Sequence, residues 1–270
     1  MMWPIIKLVA VACLAMTVAG ASDDRFVATL PSDIKLEFLG VTANPTAKDR
    51  WHAIDGATID HPASPFDREE LGMGEATHAV LFRKTGAELS CSATMQGGKV
   101  ITQYVLDGGP NESYRLIPFK PEPGRNSVDL ELTIADGDWQ TLCDAKNRPG
   151  QSLGSFETPE GGVALTHLME HPQGGAMIYV VREAGEQGWR ICAADENGQL
   201  HPCVNINTRQ VGKMVTALAQ FDLTPEQVAS VVVQTRPFNR KLTVRNVALD
   251  PAHPTKPQIT VTDIKPPEKR

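Results

Sequence analysis

The chain has 270 residues and a formal charge of −6, with acidic and basic side chains interspersed rather than gathered into blocks. That length suits one large β domain or two of ordinary size. The absence of a basic patch argues against sequence-independent nucleic-acid binding, which needs many phosphate-neutralising cations.

Residues 1–21 read as a secretory signal peptide. Lys7 supplies the positive start, residues 8–18 the apolar run, and Ala19-Gly20-Ala21 an A-x-A cleavage site. The run is too short to span a bilayer and no later window approaches one, so no transmembrane span is expected after cleavage. Losing the single charge of Lys7 takes −6 to −7. The mature protein is expected to be exported, periplasmic or extracellular. Residues 22–33 form a linker, and 34–41 the first strand, with Ile34, Leu36 and Phe38 on one face. Residues 42–77 are rich in Pro and Gly and read as loop. Residues 78–84, 88–95 and 99–106 are strand-like and broken by glycines. In 128–134, Val128, Leu130, Leu132 and Ile134 alternate with Asp129, Glu131 and Thr133, which predicts a half-buried strand with one wet face. Asn147-Arg148-Pro149-Gly150 reads as the boundary between halves. Short strands then recur at 163–168, 176–182, 188–194, 200–206 and 211–221.

The densest run of β-branched residues lies in 221–249. Thr224-Pro225-Glu226-Gln227 carries the marks of a helix start, but Val231-Val232-Val233 follows at once, so a single turn is expected. Stiff branched side chains predict a strand buried on both faces. Pro237 removes a ladder donor and turns the chain. Leu242 and Val244 differ in parity from Val247 and Leu249, and a β-bulge near Arg245-Asn246 would bring both pairs to the core. The two strands are expected to form a hairpin closing a sheet. The spacing of short strands and the lack of a helical apolar period predict an all-β protein of two antiparallel sandwich-like lobes, 34–147 and 153–250, with one large jelly-roll-like sandwich as the alternative. Residues 251–270 read as a flexible Pro- and Lys-rich tail.

Four of the five cysteines remain after removal of the signal, and an even count in an exported chain suggests two disulfides. A two-residue turn at Asn197-Gly198 would oppose Cys192 to Cys203. Cys91–Cys143 follows by elimination.

Two motifs suggest hydrolysis and lack the scaffold for it. Gly150-Gln151-Ser152-Leu153-Gly154 matches a nucleophile elbow, yet Arg148-Pro149 before it and Thr158-Pro159 after it leave no strand and no helix to hold Ser152. His167-Leu168-Met169-Glu170-His171 matches an inverted zinc-protease pattern, which needs a helix that Pro172 and Gly174-Gly175 forbid. His167 and His171 therefore remain weak metal ligands, and no cofactor is expected. Trp51, His52, Asp55, Asp60 and His61 form a loose polar loop cluster. Gln234 and Arg236 place an amide and a guanidinium at a sheet end, suited to carboxylate or sugar recognition. The bland reading has Arg236 tying the proline corner to backbone carbonyls.

Gln234-Thr235-Arg236-Pro237-Phe238 and Arg245-Asn246-Val247-Ala248-Leu249-Asp250-Pro251 resemble the closing signature, QTRPY then RNVSL-P, of a poorly characterised β-rich bacterial envelope module. That module occurs in secreted proteins and attached to antibiotic-sensor-type membrane metallopeptidases. Leu36-Glu37-Phe38-Leu39-Gly40-Val41 with Pro45 and Trp51 is similar to its opening ELVGV...HP...WW. Trp189-Arg190-Ile191-Cys192-Ala193-Ala194-Asp195-Glu196-Asn197-Gly198 is similar to its VRVVAVDKDG hairpin. Lys241 stands where the family has Trp, and one Trp stands near position 51 where the family has two. The resemblance implies an exported β-rich module with no assigned chemistry.

These readings converge on a non-catalytic envelope module that binds an unknown ligand or an envelope protein through loops at a sandwich end. Arg236, Gln234 and Trp51 are the expected contacts. The competing readings are a hydrolase using Ser152 or zinc at His167, Glu170 and His171, and a purely structural envelope protein.

Overall fold

The structure is a computed structural model that describes residues 26–43, 51–59, 75–109, 111–185 and 187–264. The chain begins with β1 (Val27–Thr29), β2 (Lys35–Thr42), β3 (Trp51–His52), β4 (His78–Thr85) and β5 (Ser90–Gln96). It continues through β6 (Gly98–Val100), β7 (Tyr104–Gly109), β8 (Glu112–Pro121) and β9 (Ser127–Ala135). Next come β10 (Gln140–Lys146), β11 (Gly154–Thr158), β12 (Gly161–Leu165), β13 (Met169–Glu170) and β14 (Ala176–Glu183). They are followed by β15 (Gln187–Ala194), β16 (Leu200–Pro202), β17 (Asn205–Val211), β18 (Met214–Phe221) and β19 (Ser230–Pro237). β20 (Arg240–Ala248) and β21 (Gln258–Asp263) end it. No α-helix occurs among the described residues.

The protein is all-β and antiparallel, built as two sandwiches. In the first, a seven-stranded sheet ordered β1-β2-β4-β8-β6, with β3 on β2 and β7 on β8, faces a four-stranded sheet ordered β21-β20-β9-β5. Their inner faces share one core, including Leu36, Phe38, Val80, Phe82, Ile117, Phe119, Leu130, Leu132, Leu242 and Val244. In the second, a sheet ordered β10-β19-β15-β16 faces β11-β12-β14-β18-β17, with β13 on β14. Val163, Ile178, Val180, Ile191, Ala219, Phe221, Val231 and Val233 form its core.

Local chemistry explains the strands that position the rest. β9 buries Val128, Leu130, Leu132 and Ile134 and turns Asp129, Glu131 and Thr133 outward, the alternation of a sheet with one wet face. β19 is buried from Ser230 to Arg236, because β10 and β15 flank it and sheets cover it. In β20 the register slips between Val244 and Val247, with Asn246 at φ 56°. That bulge returns Val247 and Leu249 to the core beside Leu242 and Val244, as the parity change required. At Thr224 a single turn forms, with Gln227 Oε1 accepting from the Thr224 amide at 2.9 Å.

Three expectations are corrected. β19 and β20 are not a hairpin. Both edges of β19 are occupied by β10 and β15, so the chain leaves at Pro237 and β20 enters the other sandwich between β9 and β21. The lobes consequently do not divide into 34–147 and 153–250. β10 belongs to the second sandwich, residues 240–263 belong to the first, and the second lobe is an insertion between β9 and β20. The segment expected as a tail contains β21, whose Val261 and Ile259 lie opposite Leu242 and Val244 and pack on the first core. Residues 265–270 lie outside the described residues.

Where the sandwiches meet, β15 lies against β5 and β9. A Cβ on Gly188 would stand 2.6 Å from the Ser90 Cβ and 3.1 Å from the Ala135 Cβ, so only glycine permits this approach.

Candidate functional site

At one end of the first sandwich strand ends and turns line a cleft of about 560 Å³. β3 contributes Trp51 and His52, β4 begins at His78, the β8–β9 turn supplies Arg125 and Asn126, and Leu249-Asp250-Pro251 follows β20. The ladder dictates this convergence. β9 and β20 pair antiparallel up to Ser127↔Ala248, and the Leu249 amide donates to the Asn126 carbonyl at 3.0 Å. β3 pairs with the end of β2 through Val41↔His52 and Thr42↔Trp51.

Trp51 is 7 % exposed, packed beside Ala79, Leu81 and Leu116 on the face of β4 opposite the main core. Its Nε1, the indole's one polar atom, has no hydrogen-bond partner. Five buried side-chain polar atoms among the described residues lack a partner, the others being Arg115 Nε, Glu160 Oε2, Arg182 Nη1 and Arg236 Nε. Trp51 is the one of these residues that lines a described cleft.

His52 Nε2 lies 3.1 Å from the Ala248 carbonyl. A carbonyl only accepts, so Nε2 carries the proton and Nδ1 is the acceptor of the neutral ring. Burial pushes the His52 pKa down, outweighing the Ala248 carbonyl and the Asp250 and Asp55 carboxylates. His78 is lowered as well, by burial and then by His52. The imidazoles are therefore neutral at neutral pH. Arg125 and Asp250 carry opposite charges, leaving a cleft that mixes donors and acceptors without net charge.

Arg236 and Gln234 lie elsewhere, at the junction between lobes. Arg236 is 3 % exposed, with Nη1 donating to the Gly137 carbonyl at 3.2 Å and Nη2 to the Glu88 carbonyl at 3.0 Å. Its guanidinium carbon sits 4.0 Å from the Trp139 ring centroid, and that of Arg190 sits 4.5 Å from the same ring. Gln234 Oε1 accepts from Arg190 Nε at 2.8 Å, and its Nε2 donates to Thr141 Oγ1 at 3.2 Å. Arg236 ties the proline corner to backbone carbonyls across the junction, whereas Gln234 bonds to the two strands that flank it in its own sheet. Nearby, Asp136 accepts from Ser32 Oγ and Asn239 Nδ2 at 2.6 Å and from Arg240 Nε at 2.9 Å. Burial alone would raise its pKa, but these three donors outweigh it and hold the carboxyl below the usual range.

The hydrolytic motifs are also placed. Ser152 is exposed between a turn and β11, its hydroxyl donating to the Leu165 carbonyl at 2.8 Å, with a strand and no helix following it. His171 closes a turn after the short strand β13, its Nδ1 accepting from the Gln173 amide and meeting Gln220 Nε2. His167 precedes that strand, Glu170 is exposed at its end, and no group of three or more potential metal ligands occurs among the described residues. Asp55 caps its own loop through the Ala57 amide, whereas Asp60 and His61 lie outside the described residues.

The four cysteines among the described residues are free thiols, which corrects both expected disulfides. Cys91 packs against the first core and Cys143 lies in the second. The turn after β15 is a three-residue loop, closed by the Asp195 amide on the Gln199 carbonyl with Gly198 at φ 77°. The register accordingly sets Cys192 opposite Pro202. Cys203 packs on the core side with Ile191 and Ala193, and strand alternation turns Cys192 to the other face. Burial, and next the neighbouring Cys192, pushes the Cys203 thiol up to about 11.

The sequence reading placed Trp51 and His52 near each other but missed His78, Arg125, Asn126 and Asp250. The signal that would have found them is the pairing of residues 128–134 with the bulged strand at 242–248, which brings Asn126 and Leu249 together. No helix among the described residues is long and apolar enough to cross a membrane. No family model and no curated protein matches the chain. Among solved structures it is similar to the conserved domain protein from Bacillus anthracis, at 9 % identity over 88 % of each chain with a TM-score of 0.23.

Proposed function

We propose that this protein is an exported, non-catalytic recognition module of the bacterial envelope that holds a small uncharged polar ligand in the cleft beside Trp51. The observation that carries the reading is the buried indole N–H of Trp51, which has no partner in the folded chain and belongs to a side chain that lines the cleft. An unmet buried donor costs about 1–3 kcal/mol, which an incoming acceptor would recover. Neutral imidazoles and the opposed charges of Arg125 and Asp250 suit a hydroxyl- or carbonyl-bearing ligand better than an ion. The engagement of Arg236 in the junction, and of Gln234 by its neighbours in the sheet, supports assigning recognition to this end of the molecule instead.

The test is a thermal-shift screen with neutral saccharides and blocked peptides. A ligand that raises the melting temperature of the native protein should lose that effect in Trp51→Phe, which removes the donor and keeps a ring. The variant loses ring volume but also removes the unmet donor, and the two opposing effects should leave its own stability within about 1–2 kcal/mol of the native protein. A panel without any shift, or a shift unchanged in Trp51→Phe, would leave the structural-protein reading standing in its place.

A further inference from the structure

Seven large apolar side chains are prominently exposed among the described residues, and five of them, Leu200, Val204, Ile206, Val211 and Met214, fall between β16 and the start of β18. This is the open side of the second sandwich. β17 is the outermost strand of its sheet, and the opposing sheet ends at β16, which has three residues. Thr208 and Ile206 pair with Ala217 and Ala219, which face the core. Ile206 therefore projects onto the inner face past the end of its cover and remains 40 % exposed.

The backbone of that edge is equally open. β17 pairs with β18 over all seven residues without a bulge, closed by a two-residue turn at Gly212-Lys213 with Gly212 at φ 60°. Across such a turn the flanking pair Val211↔Met214 is hydrogen-bonded, and alternation then directs Asn205, Asn207 and Arg209 toward β18. The N–H and C=O groups of Ile206, Thr208 and Gln210 point outward. Of the usual protections only a single charge, Arg209, is present, since the strand contains no Pro, no Lys and no bulge.

We propose that β17 is a homodimerisation edge, pairing antiparallel with β17 of a second copy about a two-fold axis at Thr208. The occupant is argued from self-complementarity. Centring on Thr208 opposes that residue to itself, a favourable Thr–Thr pair. It opposes Arg209, the strand's one charge, to Asn207 of the other copy, twice by symmetry, so no like charges meet. The outward groups of Ile206 align with those of Gln210 in the second copy, joining the two sheets into one. Val204 then stands opposite the Gly212-Lys213 turn of the second copy, which covers the apolar ledge. Isologous pairing of this kind closes on itself and does not propagate.

Sedimentation velocity on the purified full chain tests the proposal. The native protein is expected to sediment as a dimer. Thr208→Pro removes one outward N–H and no intrachain bond, and Thr208→Lys sets like charges face to face. Each should weaken association at least about tenfold, or roughly 1.4 kcal/mol, with an unchanged circular dichroism spectrum. Thr208→Cys should form a covalent dimer on mild oxidation, because hydrogen-bonded opposed residues lie about 5.5 Å apart, within disulfide range. Tyr179→Cys, exposed on β14, should not. A native protein monomeric at every concentration overturns the proposal. A dimer that survives both Thr208→Pro and Thr208→Lys, with no crosslink through Thr208→Cys, overturns it equally. So would a monomer that binds an added strand-forming peptide along β17, since the edge would then serve a foreign partner.

Discussion

The junction between the lobes and the cleft at the end of the first lobe both bury polar side chains, but they are built on opposite plans. At the junction, Arg236, Arg190, Glu88 and Asp136 form a charged set around the Trp139 ring in which most donors meet carbonyls, carboxylates or that ring's face. At the cleft the imidazoles are neutral and the buried indole donor meets nothing. The first arrangement holds two bodies together. The second leaves one donor unmet, which is the basis of the proposed ligand site. Conspicuous residue types are thus a poor guide to function until their partners are known.

The contrast can be broken by substitution. The largest effect is expected from Arg236→Ala, which removes a buried guanidinium with its two carbonyl hydrogen bonds and a cation–π contact and should cost about 2–4 kcal/mol in urea unfolding. It should leave ligand-induced stabilisation at the cleft intact. Arg236→Lys should recover only part of the loss, because an ammonium cannot reach both carbonyls as the planar fork does. Next comes Asp136→Asn, expected to cost about 2 kcal/mol at neutral pH through three weakened hydrogen bonds. The folded Asp136 carboxyl lies below its ordinary pKa of 3.8. Its contribution is present above that pH and is lost as the pH falls below it. The variant should therefore flatten the acid limb of the stability curve.

The smallest effect belongs to the cleft. His52 and His78 are held below their ordinary value of 6.5. The unfolded chain binds more protons just beneath that pH, so stability is full above 6.5 and declines as the pH is lowered through the window under it. His52→Gln, which can still donate to the Ala248 carbonyl, should reduce this slope near pH 6 and leave the acid limb alone. Melting curves taken across both windows would separate the two regions. A slope near pH 6 that ignores His52 would remove the basis for calling the cleft neutral.

How much of this was legible in the sequence follows from the range of the forces involved. Local alternation in 128–134, the Val231-Val232-Val233 run and the parity change at 242–249 report side-chain burial directly, and the strands and the bulge lie where those patterns require. Pairing partners are set by distant competition for edges. Nothing near Pro237 reveals that β19 is already flanked by β10 and β15, so a turn that looks like a hairpin is a crossing between lobes. The hairpin about Asn197-Gly198 forms, but its register differs for a smaller reason, because a three-residue loop instead of two sets Cys192 opposite Pro202 and not Cys203. Trp51 was visible as a candidate, but its unmet N–H was not, since a missing partner has no local sequence signature.

The inserted arrangement of the lobes also governs the order in which the protein is made. On the ribosome, β9 emerges with Leu130, Leu132 and Ile134 exposed on a strand whose neighbour β20 has not been synthesised. The whole of the inserted sandwich is translated first and can close on itself, while the earlier-born half waits for its last two strands. Nascent chains halted before Arg240 should therefore present the first core unsealed, making it the segment that chaperones would have to shield.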